Sequence, residues 1–485
     1  MNLEREIERL QKALAALETE NQRLRLELKA ALARNRELME RLNQDSTNSN
    51  WPPSRDKSRK KRQKRTKSLR KKSGKKAGGQ KGHTGYTLEF SEKPDRVVRH
   101  LPTHCEHCQT PFEEGQRRVA VDKRQVHDLP PMDLVVTEHQ AETLICQHCG
   151  EMTRGAFPEG VKAPVQYGPQ VRQLATYLRT EQFIPYERSQ QLMFDLFGVK
   201  ISTGTLQNVM KSASQRLKDA VTAIKAGLIK SEVEHFDESG FYIKGDRYWL
   251  HVVSTPQLTF FHPHAKRGKE GMDAGGILPE FHGTGVHDGL ASYRKYEQFQ
   301  HALCNVHHLR ELAAVEEQEK QHWAMLFRLF LVGAKHAVAH AKEQGMTALP
   351  EPKLLQIERL YTKLIARGLR ENPEPDTGWP RGKRGRVKKT KPRNLVERLD
   401  KHRRETLAFV YDFKVPFDNN LAERDIRMLK VQQKISGHFR SLEGAEQFCT
   451  IRSYTSTMRK QGVSAWTALG SVFAGDLLLP ETIPV

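Results

Sequence analysis

The chain has 485 residues, a net charge of +22 at pH 7 and a sequence pI near 9.7. That length predicts three or four domains, at least one with a full core, and the charge predicts a polyanionic partner. Six cysteines in so long a chain argue against a disulfide scaffold. No run of about 18 apolar residues occurs and no signal peptide is read, so a cytoplasmic protein without a membrane span is expected.

The charge is concentrated. Residues 55–76 carry 14 Lys or Arg against Asp56 alone, residues 381–393 carry 8 and no acid, and the rest of the chain is close to neutral. The pattern predicts a nearly neutral folded body with two basic arms.

In chain order, residues 1–44 read as a coiled-coil zipper. Leu3, Leu10, Leu17, Leu24, Ala31 and Leu38 recur every seven residues, and Ile7, Leu14, Asn21, Leu28, Asn35 and Leu42 form a second series offset by four. Leu at d with Asn at two a positions predicts a parallel homodimer in fixed register. Residues 45–90 are Ser/Asn/Pro-rich, then basic, then Gly-rich, the composition of a disordered linker. Its Lys60, Lys61, Arg62, Lys64, Arg65, Lys71 and Lys72 are candidates for salt-sensitive phosphate contacts.

Residues 91–160 hold Cys105-x-x-Cys108 and Cys146-x-x-Cys149. Two such pairs suit a structural zinc ion with four thiolates, and strands are expected at Arg118–Val121 and Leu134–His139, as in a zinc ribbon. Residues 161–228 read as helices. Val171, Leu174, Ala175 and Leu178 share one apolar face. Tyr186–Phe197 is stopped by Gly198, and Ser202 or Thr203 caps a third helix. Helix, Gly-containing turn and helix form a helix-turn-helix pattern. Ser202, Thr203, Thr205 and Asn208 are its candidates to reach DNA.

From residue 229 the pattern changes to strands. Val233–Phe236, Tyr248–Ser254 and Leu258–Phe261 are β-branched and aromatic, and Gly285–His287 and His301–Leu303 are shorter candidates. Helices follow from about Asn305 to Gln344. Asn420–Val431 and much of 444–475 are also helical. Asp237 and Asp288 follow strand-like runs and Glu423 opens a helix. Converging carboxylates could hold magnesium ions for phosphodiester chemistry. Each also has a plain reading: Asp237 in a turn after its strand, Asp288-Gly289 as a turn pair, and Glu423 in a capping box with Asn420 or paired with Arg427. Cys304-x-x-His307 resembles half a zinc site, and a structural or DNA-positioning role is expected of it.

Taken in order, several motifs resemble a large transposase of the insertion sequence 66 family. They are Gly78-Gly79-Gln80-x-Gly82-His83, the two cysteine pairs, Pro185-Tyr186-Glu187-Arg188, Phe197-Gly198 and Ser202-x-Gly204-Thr205-Leu206. Asp237-Glu238-Ser239, Asp288-Gly289 with Tyr293, and Cys304-x-x-His307 with Arg310 follow. The longest is Asp418-Asn419-Asn420-x-Ala422-Glu423-Arg424-x-x-Arg427, before Lys434-Ile435-Ser436-Gly437 and Gly444-Ala445. The resemblance implies a DDE enzyme whose Asp237, Asp288 and Glu423 are catalytic and bind two magnesium (or manganese) ions, with strand cleavage followed by strand transfer. Asn419, Asn420, Arg424 and Arg427 become candidates to orient DNA phosphates, with Arg suited to bidentate contacts.

The fold expected is multidomain α and α/β. After the zipper, linker, zinc ribbon and helix-turn-helix domain comes a ribonuclease H-like catalytic domain at 229–440. It carries a helical insertion at about 312–400, and a C-terminal helical segment spans 441–485. The expected partners are double-stranded DNA (terminal inverted repeats and target), a second copy through the zipper, and possible small accessory proteins of the element. The setting implied is prokaryotic and nucleoid-associated. The alternatives are a non-catalytic zinc-containing dimeric DNA-binding regulator and an inactive transposase remnant.

Overall fold

The structure is a computed structural model that describes residues 88–113, 120–130, 132–374 and 389–481, with isolated positions before residue 88. The expected zipper, apart from isolated helical positions such as Leu24, lies outside the described residues, as do the seven named linker residues Lys60 to Lys72 and most of the second basic arm.

Each cysteine pair sits in a tight turn. The Cys105 N–H donates to Thr110 O at 2.9 Å and Gln109 N–H returns to Cys105 O at 3.0 Å. The Cys146 N–H donates likewise to Glu151 O at 2.8 Å, between β1 (Thr143–Ile145) and β2 (Met152–Arg154), which pair antiparallel. Leu134–His139 forms no strand, contrary to expectation. Val135 and Val136 are 85% and 83% exposed, so among the described residues no neighbouring strand or core offsets the entropy of ordering them as one, and the strand expected at Arg118–Val121 begins outside the described residues.

Next come α1 (Pro169–Thr180), α2 (Tyr186–Phe197), α3 (Thr203–Arg216) and α4 (Lys218–Ile229). Helix α2 ends as its sequence requires: Gly198 adopts φ +65°, and its N–H bonds Phe194 O at 2.9 Å. Ser202 then caps α3, its Oγ accepting from the Thr205 N–H at 3.0 Å. The apolar faces of these helices do not close on themselves. Leu178, Met193, Leu206 and Val209 share one core with Ile451, Tyr454, Leu469 and Val472. The latter belong to α13 (Leu442–Lys460) and α14 (Ala465–Ala474). A buried ion pair reinforces the junction: Glu181 accepts from Arg452 at 2.5 Å and Arg459 at 2.6 Å.

The central sheet has the order β5-β4-β3-β6-β7. Its strands are β3 (Val233–Ile243), β4 (Asp246–Ser254), β5 (Thr259–His264), β6 (Thr284–His287) and β7 (Gln300–Leu303). The first three form an antiparallel meander, and β6 and β7 run parallel to β3. Phe241, Leu250, Val252 and Phe261 cover one face, packed on Ile426 and Leu429 of α12 (Asn420–Ser436) and Phe448 of α13. Phe236, Val253 and Phe260 cover the other, against Ile224 and Leu228 of α4 and Met272 of α5 (Lys269–Ala274).

All five expected strands are present, but β3 is longer than expected. It does not end in a turn at Asp237: its hairpin turn is at Lys244-Gly245, both with positive φ (51° and 96°), the pattern of a two-residue primed turn. Gly240 sits inside the strand, with the Arg247 side chain over it and Lys430 Nζ on its carbonyl at 2.7 Å. Asp237 therefore lies mid-strand, not at a strand end.

Between β7 and α12 the chain forms α6 (Asn305–Glu319), α7 (His322–Glu343), α8 (Glu351–Glu371), α9 (Lys391–Lys401), α10 (Arg403–Thr406) and α11 (Ala408–Tyr411). They enclose their own core around Trp323, Phe327, Tyr361 and Val396. This helical block begins at Asn305, directly after β7.

Candidate active site

Three elements bring the predicted carboxylates together. The parallel ladder between β3 and β6 pairs Val233 with Thr284 and His235 with Val286. Carried two residues further, that register sets Asp237 beside Asp288, just past the end of β6. Strand alternation then decides the faces. Asp237 shares its face with Phe241 and Ile243, the face covered by α12, and Glu423 stands in the first turn of that helix.

Helix α12 is fixed at this end by Asn419. Its side-chain amide donates to Phe236 O at 2.7 Å, its Oδ1 accepts from His235 Nδ1 at 2.8 Å, and its backbone N–H points at Cys304 Sγ at 3.2 Å. Asn419 is 1% exposed, so the DNA-phosphate contact expected of it is not available: its side chain is engaged by β3. Because its side chain is spent on β3, it does not cap the helix; Asp418 Oδ1 takes the Asn420 N–H instead, at 3.1 Å. Asn420 is the first helical residue, so the capping box expected with Glu423 does not form.

Nor does Glu423 pair with Arg427. Glu423 Oε1 instead faces His307 Nδ1, at 3.8 Å. Asp425 likewise turns inward, to Lys460 at 2.6 Å and Ser254 at 2.7 Å. Arg424 and Arg427 are exposed, and neither forms an ion pair among the described residues.

The electrostatics of the cluster are strained. Burial, then the neighbouring Glu238, then Asp288 and Glu423 push the Asp237 carboxyl up to about 7. Glu423 Oε1 is buried without a hydrogen-bond partner. Such a group of like charges is stabilised by a cation, and divalent metals suit its oxygen donors. Asp288 is more exposed; its Oδ1 accepts from the Leu290 N–H at 2.9 Å across Gly289, whose φ is +91°. The turn reading of Asp288-Gly289 therefore holds together with its place in the cluster.

Sequence reasoning gave no role to Glu238. It points to the opposite face, where Arg267 donates twice to Oε1, at 2.7 and 3.0 Å, and the Tyr293 hydroxyl to Oε2 at 2.7 Å. It locks the β3 backbone beside Asp237. In a strand that continues past Phe236, an acid next to Asp237 must face the other side.

Cys304 and His307 are not an isolated half-site. Cys304 Sγ, His307 Nδ1 and a Glu423 oxygen lie within 4.8 Å of one another. Of the zinc candidates, Cys105 and Cys108 are adjacent, as are Cys146 and Cys149, and all four are free thiols. A Thr110 hydroxyl lowers the Cys108 thiol, and backbone N–H groups of Cys149 and His148 lower Cys146, which favours the thiolates zinc binds. The donor chemistry fits zinc, although no three of these sulfurs lie within 4.8 Å of one another. Ser202, Thr203 and Asn208 are exposed at the start of α3, and Thr205 is half-buried beside its cap.

A transposase is the class of protein in which these parts occur together: residues 102–150 match the zinc-finger binding domain of transposase IS66. Residues 164–447 match the Transposase IS66 family, and the chain belongs to that family. Residues 4–89 match a family of unknown function, DUF6444. No curated protein matches the chain. No helix among the described residues is long and apolar enough to cross a membrane.

Proposed function

We propose that this transposase binds the terminal inverted repeats of its element and cuts and joins DNA at Asp237, Asp288 and Glu423. The observation that carries the reading is the convergence of the three carboxylates, from two adjacent parallel strands and the helix across them, on a point where Asp237 is pushed up to about 7 and Glu423 Oε1 lacks a partner. The sheet order β5-β4-β3-β6-β7 supports a ribonuclease H-like catalytic domain.

Magnesium or manganese, when bound, would activate the attacking oxygen and stabilise the leaving one. The chain's residues do the rest. Asp237, Asp288 and Glu423 would hold the cations. Arg424 and Arg427, on the exposed face of α12, bind phosphate and set the DNA strand against the carboxylates. Ser202, Thr203, Thr205 and Asn208 reach DNA from α3, while the basic linker supplies sequence-independent affinity. The zipper dimerises the chain, so that two sites meet two element ends.

The test is a cleavage and strand-transfer assay on the element's own ends, with and without magnesium. Asp237→Asn, Asp288→Asn and Glu423→Gln should each abolish both steps while retaining DNA binding. Full strand transfer by any of the three would remove that residue from the site.

A further inference from the structure

We propose that Cys304, His307 and Glu423 form a binding site for one transition-metal ion of the zinc class. Cys304 is the N-cap of α6, His307 lies in the first turn of that helix, and Glu423 lies in the first turn of α12. Thiol, imidazole and carboxylate donors converge within 4.8 Å. His307 Nδ1 and Glu423 Oε1 face each other at 3.8 Å, too far for a hydrogen bond, and each is buried with no other hydrogen-bond partner. Two buried polar atoms left so are costly unless something between them satisfies both. Donors bound to a single tetrahedral zinc at about 2.0–2.3 Å stand roughly 3.3–3.8 Å apart.

The third donor is already oriented. Cys304 Sγ accepts the Asn419 N–H at 3.2 Å, the kind of outer hydrogen bond that holds a thiolate ligand in place. One sulfur, one nitrogen and one oxygen suit zinc, or cobalt and cadmium as reporters, far better than magnesium, which takes oxygen ligands. On binding, the Cys304 S–H bond breaks, a sulfur–metal bond forms, and the proton passes to solvent. No electron is transferred. The site shares Glu423 with the proposed strand-transfer centre, so an ion here engages a carboxylate assigned there to magnesium.

The test counts ions on the full chain, because the zinc-finger cysteines bind metal as well. After zinc loading and desalting, the natural chain should hold one ion more per molecule than Cys304→Ser or His307→Gln. Loaded with cadmium-113, it should give a resonance from a one-sulfur site beside that of the finger, lost in both variants. His307 is 38% exposed in its side chain, so the His307→Gln chain keeps its fold even where Cys304→Ser does not. Equal metal content and identical spectra in His307→Gln and the natural chain would overturn the proposal. Neither readout uses DNA, so the strand-transfer reading stands or falls separately.

Discussion

The Asn419 side chain donates to the Phe236 carbonyl at 2.7 Å, one residue before Asp237. This bond ties the helix that carries Glu423 to the strand that carries Asp237. Asn419→Ala strands the Phe236 carbonyl in the interior and frees His235 Nδ1. We expect a loss of about 1–3 kcal/mol, read by denaturant unfolding, together with loss of strand transfer. A variant as stable and active as the natural chain would show that packing alone sets the start of α12.

Divalent metal should stabilise the protein through the carboxylates. Titrating magnesium should raise the melting temperature of the natural chain by mass action, with a much smaller rise in Asp237→Asn and Glu423→Gln. Before magnesium is added, Asp237→Asn should melt higher than the natural chain, because it removes a buried charge beside Glu238, Asp288 and Glu423. Equal magnesium responses in all three proteins would contradict the assignment.

Glu234 supplies a pH dependence away from the site. It is fully buried in β3, neither carboxylate oxygen has a partner, and burial raises its carboxyl well above the usual range. A group raised in the fold contributes stability that is complete below its unfolded value near 4.5 and is lost as pH rises toward the folded value. Glu234→Gln should therefore melt higher than the natural chain at pH 7 to 8, with the gain shrinking to nothing as pH falls below about 4.5. Melting curves across pH read this directly; a gain that persists in acid would point to packing instead.

The Glu181 ion pair joins the two ends of the folded body. Arg452 is 8% exposed in its side chain and Glu181 is 0% exposed. Removing one partner of a buried pair costs about 3–5 kcal/mol; here Arg459 remains beside Glu181, so Arg452→Met should fall toward the lower end. Glu181→Ala, which strands Arg452, should cost more than Arg459→Ala, whose side chain is 47% exposed. The order of the three midpoints in urea is the check.

Gly285 marks where β6 meets the aromatic packing. A Cβ there would lie 2.5 Å from the Phe236 ring and 2.8 Å from Phe299. Gly285→Ala should destabilise the protein by about 1–3 kcal/mol through overpacking and lower activity by moving Asp288, three residues on and just past the end of β6. Pairing it with Phe299→Leu should recover part of the stability.

Much of this architecture is legible in the residues. Gly198 and Ser202 mark the ends of α2 and α3 because turn and cap chemistry is local. The β-branched and aromatic runs locate all five strands of the central sheet for the same reason. The apolar run of β3 stops at Phe236, so composition puts Asp237 at a strand end; Arg247 and Lys430, which hold Gly240 in the strand, come from elsewhere in the chain. The cap of α12 is not legible locally, because Asn419 is drawn to Phe236, far away in sequence. Leu134–His139 has strand composition but no partner strand among the described residues. The meeting of Cys304 and His307 with Glu423 is not legible in their spacing, because the rest of the helical block, to residue 411, lies between His307 and Glu423.

The shared core of α1–α3 with α13 and α14 bears on synthesis. Gln173 in α1 donates to the carbonyl of Trp466 at 2.8 Å, across a sequence separation of 293 residues. Chains fold as they emerge, N-terminal parts first, yet the surface on which α1–α3 close is among the last to be made. On the ribosome the helices proposed to grip DNA stay incomplete until α13 and α14, which follow the sheet and α12 in the chain, have been translated. A nascent chain halted before residue 442 would lack α13 and α14, and with them seven of the eighteen buried residues of that core.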